Sequence, residues 1–566
     1  MRSPVFSWLS VSLIVASVLC FLPGLVPCSW GQASPPLPTG EQVAAGGATF
    51  QRADTVLTIT QSTPTAIINW SSFNIAANHT ANILQPSATA MLLNHVVGVN
   101  GVIPPSVING MLTANGIVFL LNQNGILFGP SAQVNVGGLV ASTIPISAAD
   151  FLAGNLRFQG SMTDGLIKNM GNLRSGVDGI YLFAPNVENH GVITSPNGAI
   201  TLAAGTSAYL SNRPDGRGFL AELRAPAGQV LNVGQMIADG GQITMAGLVV
   251  NQDGLVQANA VQSRHGKIEL IAKQAAGAGA SDPLARVTLG ASSQTFADGG
   301  QIKVTGQQIA HDGLLQANGV GAKNGSIQVK AGTGAQAGAG SISTGIGSRM
   351  IADGGDIALE GVTIVHDGSA QAHSVGASRG TVDIKGSGAV TTGASSQILA
   401  DAGDILIEGK TILHQGAAQA NSIGGQSGHV TFMAKDTLTL SSASRTLAQG
   451  GATDVSHGGT IIGLASNLTA GQVQVEAGAV LDVRGGAAGG HGGELLLGDR
   501  RGAPAGLDTV PFIGTASAGF QTGRFRLIPA DLTLTSSFDL GGLGPLQDVS
   551  LVALNNITVT TPDSLL

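Results

Sequence analysis

Apolar and polar residues alternate along most of this chain, and the alternation restarts at a glycine. The unit is Gly, any residue, Ile/Val/Leu, any residue, then usually an apolar residue. It begins at Gly198, Gly241, Gly266, Gly300, Gly325, Gly355, Gly380, Gly403, Gly428, Gly459 and Gly493. Gln301-Ile302-Lys303-Val304 shows the form. A period of two is that of a strand with one buried face. The glycine ahead of each strand lets the backbone turn where a side chain would clash.

The restarts are evenly spaced. Gly241 to Gly266, Gly300 to Gly325, Gly355 to Gly380 and Gly403 to Gly428 are each 25 residues apart. The intervals between them are 34, 30 and 23 residues, so a fixed coil alternates with a variable one. Asp239, Asp298, Asp353 and Asp401 recur at the same place in this pattern and are read as turn residues. Fourteen positions after each stand Asp253, Asp312, Asp367 and Gln415. About 25 residues hold three short strands and three turns, one circuit of a β-helix. A propeller blade would need about 40–45 residues, and a leucine-rich repeat would show its Leu/Asn signature. The predicted fold is all-β: a parallel β-helix whose coils stack at roughly 4.8 Å.

Before about Leu202 the pattern is less regular and richer in Asn. Ile68–Gly98 and Leu112–Thr143 read as short strands broken by Asn and Gly turns. Asn115-Gly116 and Asn124-Gly125 are strong turn signals, because both residue types tolerate positive φ.

These N-terminal residues resemble the secretion domain of filamentous haemagglutinin-type exoproteins of two-partner secretion systems. The family's mark is an Asn-Pro-Asn-Gly-Ile turn, then a strand and the run Val-Asn-Val-Gly-Gly-Leu-Val-Ala-Ser-Thr. The turn here is Asn122-Gln123-Asn124-Gly125-Ile126, and the run is complete from Val134 to Thr143. Gln123 replaces proline, so the turn loses a fixed φ. The likeness covers about Gly40 to Leu202, with compatible repeats to Gly493. The resemblance implies an N-terminal module that is β-helical, caps the trunk and is recognised by an outer-membrane β-barrel transporter with periplasmic receptor domains. It further implies a Gram-negative host, threading of the chain in an unfolded state, and folding outside the cell. Asn122, Gln123, Asn124, Gly125 and Ile126 would form the turn that determines secretion.

The start of the chain fits this route. Arg2 precedes an apolar run from Trp8 to Leu22, and Gly31-Gln32-Ala33 has small-x-small form, so residues 1–33 are read as a cleaved signal peptide. Both cysteines, Cys20 and Cys28, lie inside it, leaving a mature chain with no disulfide to lock it before export. No later stretch approaches the ~20 apolar residues of a membrane-spanning helix. The expected divisions are 1–33 signal peptide, 34–202 secretion module, 203–500 repeat trunk and 501–566 further β-rich coils, an end compatible with a longer ancestor.

Composition narrows the chemistry. Charged residues are 10% of the chain against about 25% in globular domains, yet hydrophobic residues are 43%, which excludes disorder. A net charge of −7 with no basic cluster argues against nucleic acid. His311, His366 and His414 occupy equivalent positions beside Asp312, Asp367 and Gln415. They are read as polar turn residues and not as metal ligands, since Gln252 takes the same place in the first unit. Gly-Gly-x-Gly-x-Asp calcium repeats are absent. No clustered carboxylates, nucleophile elbow or phosphate loop appears, so no catalytic residue, metal or cofactor is expected. The sequence leaves three functions standing: an adhesin- or haemagglutinin-like surface protein that binds a host, glycan or cell-surface ligand; the trunk of a secreted cytolysin or contact-dependent toxin; and, third, a polysaccharide-active enzyme. Release from the cell and retention on it are equally open.

Overall fold

The computed structural model describes residues 35–498, apart from 161–164, 215, 217, 278, 280–284, 333–339, 452, 454, 467–470 and 477, and the backbone of six strands between 512 and 559. The expected signal peptide, residues 1–33, lies outside the described residues. The described residues form a parallel β-helix.

A trunk coil has three strands, the first two fused into one in the coils that start at Gly403 and Gly428. The coil that starts at Gly300 has Gln301–Gly306, Gln308–His311 and Leu314–Gln316. The next repeats it with Ser326–Ala331, Ser341–Thr344 and Arg349–Ile351. Every strand pairs in parallel with its equivalent one coil on. The registers carry the apolar alternation through the trunk, with a shift between Gly409 and Thr411. One column runs Ile243, Ile268, Ile302, Ile327, Ile357, Val382, Ile405, Val430, Ile461 and Leu495. All of these side chains are buried. A one-residue slip would turn such a column out to water, so burial itself fixes the register. The same pairing continues past residue 500, where Phe512–Gly514 and Arg524–Leu527 add to the strands before them.

The differing coil lengths are absorbed between strands. In the 25-residue coil one residue separates the first two strands, Gln301–Gly306 and Gln308–His311. In the following coil the corresponding strands end at Ala331 and resume at Ser341.

At the N-terminal end the open strand edges are covered. Gln42–Ala45 pairs antiparallel with Thr65–Trp70, and Ala48–Ala53 pairs antiparallel with Val56–Gln61. Reversed strands block the addition of another parallel coil. Trp70 anchors this cap: Phe50 and Phe73 pack edge-on against it at 5.8 and 5.6 Å. Its indole N–H donates to Asn94 Oδ1 at 3.1 Å.

Three strands of the module, Ile117–Leu121, Gly138–Ser142 and Ile180–Ala184, are buried at every position. Their inner faces join the solenoid core. Their outer faces lie under a second apolar cluster containing Phe119, Phe151, Phe158, Tyr181, Phe183 and Phe219. The cover is a short helix, Ala148–Leu152, and a hairpin of Ala199–Asn212 with Phe219–Pro226. Tyr181 Oη donates to Phe219 O and accepts from Phe219 N, at 2.9 and 2.8 Å. The strand that contains Leu202 therefore runs on to Asn212 and folds back over the module, past the expected boundary at residue 202. Among the described residues no helix is long and apolar enough to cross a membrane.

A polar ladder ties the coils at one corner. Asp239, Asp298, Asp353 and Asp401 each follow a third strand. One carboxylate oxygen accepts from the backbone N–H of Asn259, Asn318, His373 and Asn421 respectively, at 2.8–2.9 Å. The other accepts from the side chain of Gln257, Gln316, Gln371 and Gln419. The partners reach onward: Asn259 Oδ1, Asn318 Oδ1 and His373 Nδ1 accept from the N–H of Asp298, Asp353 and Asp401. Acid in one coil and amide in the next explain why the sequence repeats every second coil. Asp298→Ala leaves Gln316 and the Asn318 N–H without their acceptor. It should cost about 2 kcal/mol, read as a lower urea midpoint of the purified chain, with Asp298→Asn losing less. An unchanged midpoint in the alanine variant would contradict this role.

Candidate functional site: the Asn122 turn and its module

The turn at Asn122–Ile126 joins two consecutive strands of one coil, Ile117–Leu121 and Ile126–Phe128. Asn122 is fully buried. Its Oδ1 accepts from the N–H of Asn124 at 3.0 Å, closing the turn on itself. Its Nδ2 donates to Pro104 O and Ser106 Oγ, both at 2.9 Å, which fastens the turn to the preceding coil. Its backbone N–H donates to Ser142 O at 3.0 Å in the following one. One side chain thus satisfies three groups that a buried bend would otherwise leave bare.

Gly125 holds φ at +113°, and its N–H donates to Asn122 O at 3.2 Å. A Cβ there would sit 3.2 Å from Leu166 O of the next coil. Asn124 is exposed, though its Nδ2 donates to Ile103 O at 2.5 Å. Gln123 is half-buried and Ile126 buried. The five residues therefore divide into a buried fastener, Asn122; a conformational hinge, Gly125; a core anchor, Ile126; and an outward pair, Gln123 and Asn124. Of the four Asn-Gly residues expected to use positive φ, only Gly125 does so.

Asn115 and Gly116 form a different bend, between Met111–Ala114 and Ile117–Leu121. The Asn115 amide pairs in both directions with the backbone of Gln85, at 2.7 and 2.8 Å. Gly116 N–H donates to Gln85 Oε1, and Gln85 Nε2 donates to Gln61 Oε1. Gln61 and Gln85 carry this bend as much as Asn115 does. A lone glutamine in a strand gives no local sign of that; its role appears only when the coils are stacked.

The histidines sit elsewhere than the sequence placed them. His311, His366 and His414 end second strands and point into the core, fully buried, so they are not turn residues. Their column begins with Asn169, Asn189, Asn232 and Gln252, joined side chain to side chain at 2.7–2.8 Å. It continues through Leu289, His311, Thr344, His366, Thr392, His414 and Leu440. Thr344 Oγ1 meets His366 Nδ1 at 2.7 Å, and Thr392 Oγ1 meets His414 Nδ1 at 2.6 Å. A threonine coil between successive histidines sets them about 9.6 Å apart along the axis, too far to share an ion whose ligands lie within ~2.1 Å. Among the described residues no group of three His, Cys, Asp or Glu is placed to hold a metal.

Burial pushes the pKa of all three down to about 4. For His366 the charge of His311 adds to the effect. An unfolded histidine titrates near 6.5, so as pH falls the unfolded chain takes up protons first. Above about pH 6.5 these groups do not change stability. Between 6.5 and 4 stability falls, approaching about 3 kcal/mol per histidine below pH 4. Urea midpoints measured across that window should drop steeply, and replacing all three with Leu, the residue at 289 and 440, should flatten the drop. Equal slopes in both chains would show that other groups control acid unfolding.

A family model, the TPS secretion domain, matches residues 36–281. That match spans the cap, the Asn122 turn, the extra-helical cover and the first trunk coils. The chain is 32% identical over 253 residues to a heme/hemopexin-binding protein of Haemophilus influenzae, covering 42% of this chain and 27% of that protein. A second Haemophilus influenzae protein of the same description is 36% identical over 111 residues, 19% of this chain and 12% of the relative. Among solved structures, the HMW1 secretion domain from Haemophilus influenzae superimposes with a TM-score of 0.53 at 26% identity, covering 64% of this chain and all of that domain.

Residues 36–281 match the TPS secretion domain and β-helical repeats follow, so the chain is similar to two-partner secretion exoproteins. It matches less than a third of the length of the curated relatives.

Proposed function

We propose that this chain is exported through an outer-membrane β-barrel transporter with periplasmic receptor domains and acts outside the cell by presenting its trunk to a host, glycan or cell-surface ligand, without catalysis. The observation that carries the reading is the secretion domain with an outward Gln123–Asn124 pair held on a buried Asn122 fastener. A transporter's receptor domain would meet those two side chains and the exposed backbone of the turn. An adhesin-like role suits the trunk surface. Thr and Gln are the commonest outward residues there, and they suit hydrogen-bonded recognition more than proton transfer. The heme and hemopexin named for the Haemophilus influenzae relatives are the first ligands to test.

Asn124 and Gly125 separate export from folding. Replacing Asn124 with Ala removes an exposed contact and one hydrogen bond, while Gly125→Val also strains the hinge. In cells that carry the transporter, the double variant should be made at normal levels yet reach the outside at no more than about a tenth of the usual amount, an effect that the loss of ~1.4 kcal/mol of recognition would produce. Immunoblots of cells and medium give the ratio. Normal external levels of the double variant would refute the role of this turn.

A further inference from the structure

The third strands of the trunk form a face with an unused charge pattern. Each of these strands points its middle residue inward and its flanking residues outward. Half-buried Leu255 and Leu314 stand in one outward column of the face, and Phe296, Ile351 and Leu399 in the other, each alternating with polar residues. Along one edge lie Asp253, Asp312 and Asp367, each just before a third strand. Along the other edge the fixed coils raise a ridge of tight turns, closed by the bridges Val261–Arg264, Val320–Lys323, Val375–Ser378 and Ile423–Gln426. The ridge exposes aliphatic tips: Val261, Val320, Val375 and Ile423 are 37, 51, 55 and 53% accessible. It also carries Arg264 and Lys323, eleven residues after Asp253 and Asp312.

Acid and base occur together. In the fourth fixed coil the aspartate position is Gln415 and the cation position, again eleven on, is Gln426. In the third, Arg379 lies one residue beyond that position and is already bound to Asp404 at 2.6 Å. Among the described residues Asp253, Asp312, Arg264 and Lys323 form no ion pair within the chain. Lys323 Nζ donates to the carbonyls of Gln262 and Arg264, which links neighbouring ridge turns and leaves its charge uncompensated.

We propose that this face is a self-association surface, and that its partner is a second copy of the trunk lying parallel and face to face. A two-fold axis along the trunk puts the acidic edge of each copy against the basic ridge of the other. Both members of a pair sit in one coil at one height, so one rotation aligns Asp253 with Arg264 and Asp312 with Lys323 on both edges. This is the self-complementarity of an isologous interface. The charges recur every second coil, about 9.6 Å, and a second copy of the same repeat stays in step along the face. A surface of another period would run out of register within a few coils. Exposed ion pairs are individually weak, so the apolar residues of the two columns and the ridge tips supply the affinity and the charges set orientation and partner.

Sedimentation velocity of the purified full chain over a range of concentrations tests this. A dimer is expected that weakens in high salt. Asp253→Lys places like charges opposite one another twice per dimer and should raise the dissociation constant at least about tenfold. Arg264→Asp should do the same. The double variant with both changes restores opposite charges and should return to within about threefold of the unaltered chain, which a folding defect could not mimic. Circular dichroism checks that each variant keeps its β-structure. A chain that stays monomeric throughout, single reversals without effect, or a double variant as weak as the singles would each overturn the proposal.

Discussion

Everything in this molecule rests on in-register parallel pairing of one coil with the next at roughly 4.8 Å. That spacing requires each circuit to return to its starting perimeter, whatever its length. The fixed coils meet the requirement with one- and two-residue corners on either side of the second strand and a longer corner, such as 317–325, after the third. In the longer variable coils the added residues fall between the first and second strands, as from Ala331 to Ser341. Because pairing exposes the same face of every strand, an inward residue in one coil lies on an inward residue of its neighbours. Long columns result, some of Ile and Val, one of Asn, His and Thr. Stability is then mostly a sum of nearest-neighbour terms, and the two kinds of end need separate treatment. At the N-terminus reversed strands and the Trp70 cluster provide it.

The same constraint gives the secretion module its character. Its coils carry aromatic residues on the outer face of one sheet, and these are buried beneath a helix and hairpin that do not take part in the solenoid. The Asn122 turn lies at the end of one such doubly buried strand. A rigid, covered sheet on one side and a fastened turn on the other hold Gln123 and Asn124 in a fixed presentation. Binding to a turn of this kind would cost little entropy, because the turn is already ordered.

Much of this was legible in the residues. The Gly-x-Ile-x-Val restarts place the first strand of each coil, and the 25-residue spacing matches one circuit. The reading of His311, His366 and His414 as turn residues failed because a residue beside an Asp-Gly pair looks like part of the turn. Whether the position before a corner points in or out depends on the strand that leads to it, here Gln308–His311. The partners of the corner aspartates do carry a signal in the sequence. Gln and then Asn or His follow each of Asp239, Asp298, Asp353 and Asp401 by 18 and 20 residues, a stricter rule than the fourteen-residue one. The outer cover was hidden for a different reason. Runs such as Ile117–Leu121 are apolar at every position, which shows that both faces are buried without showing what buries the second.

The central claim is that coils are joined at their corner by one continuous polar ladder as well as by strand pairing. Residue-resolved hydrogen exchange on the folded protein measures this directly. The ladder predicts that the amides of Asn259, Asp298, Asn318, Asp353, His373, Asp401 and Asn421, all outside regular strands, exchange as slowly as those of the adjoining strands. Exchange of these amides at the rate of exposed loops, while the strands stay protected, would contradict it.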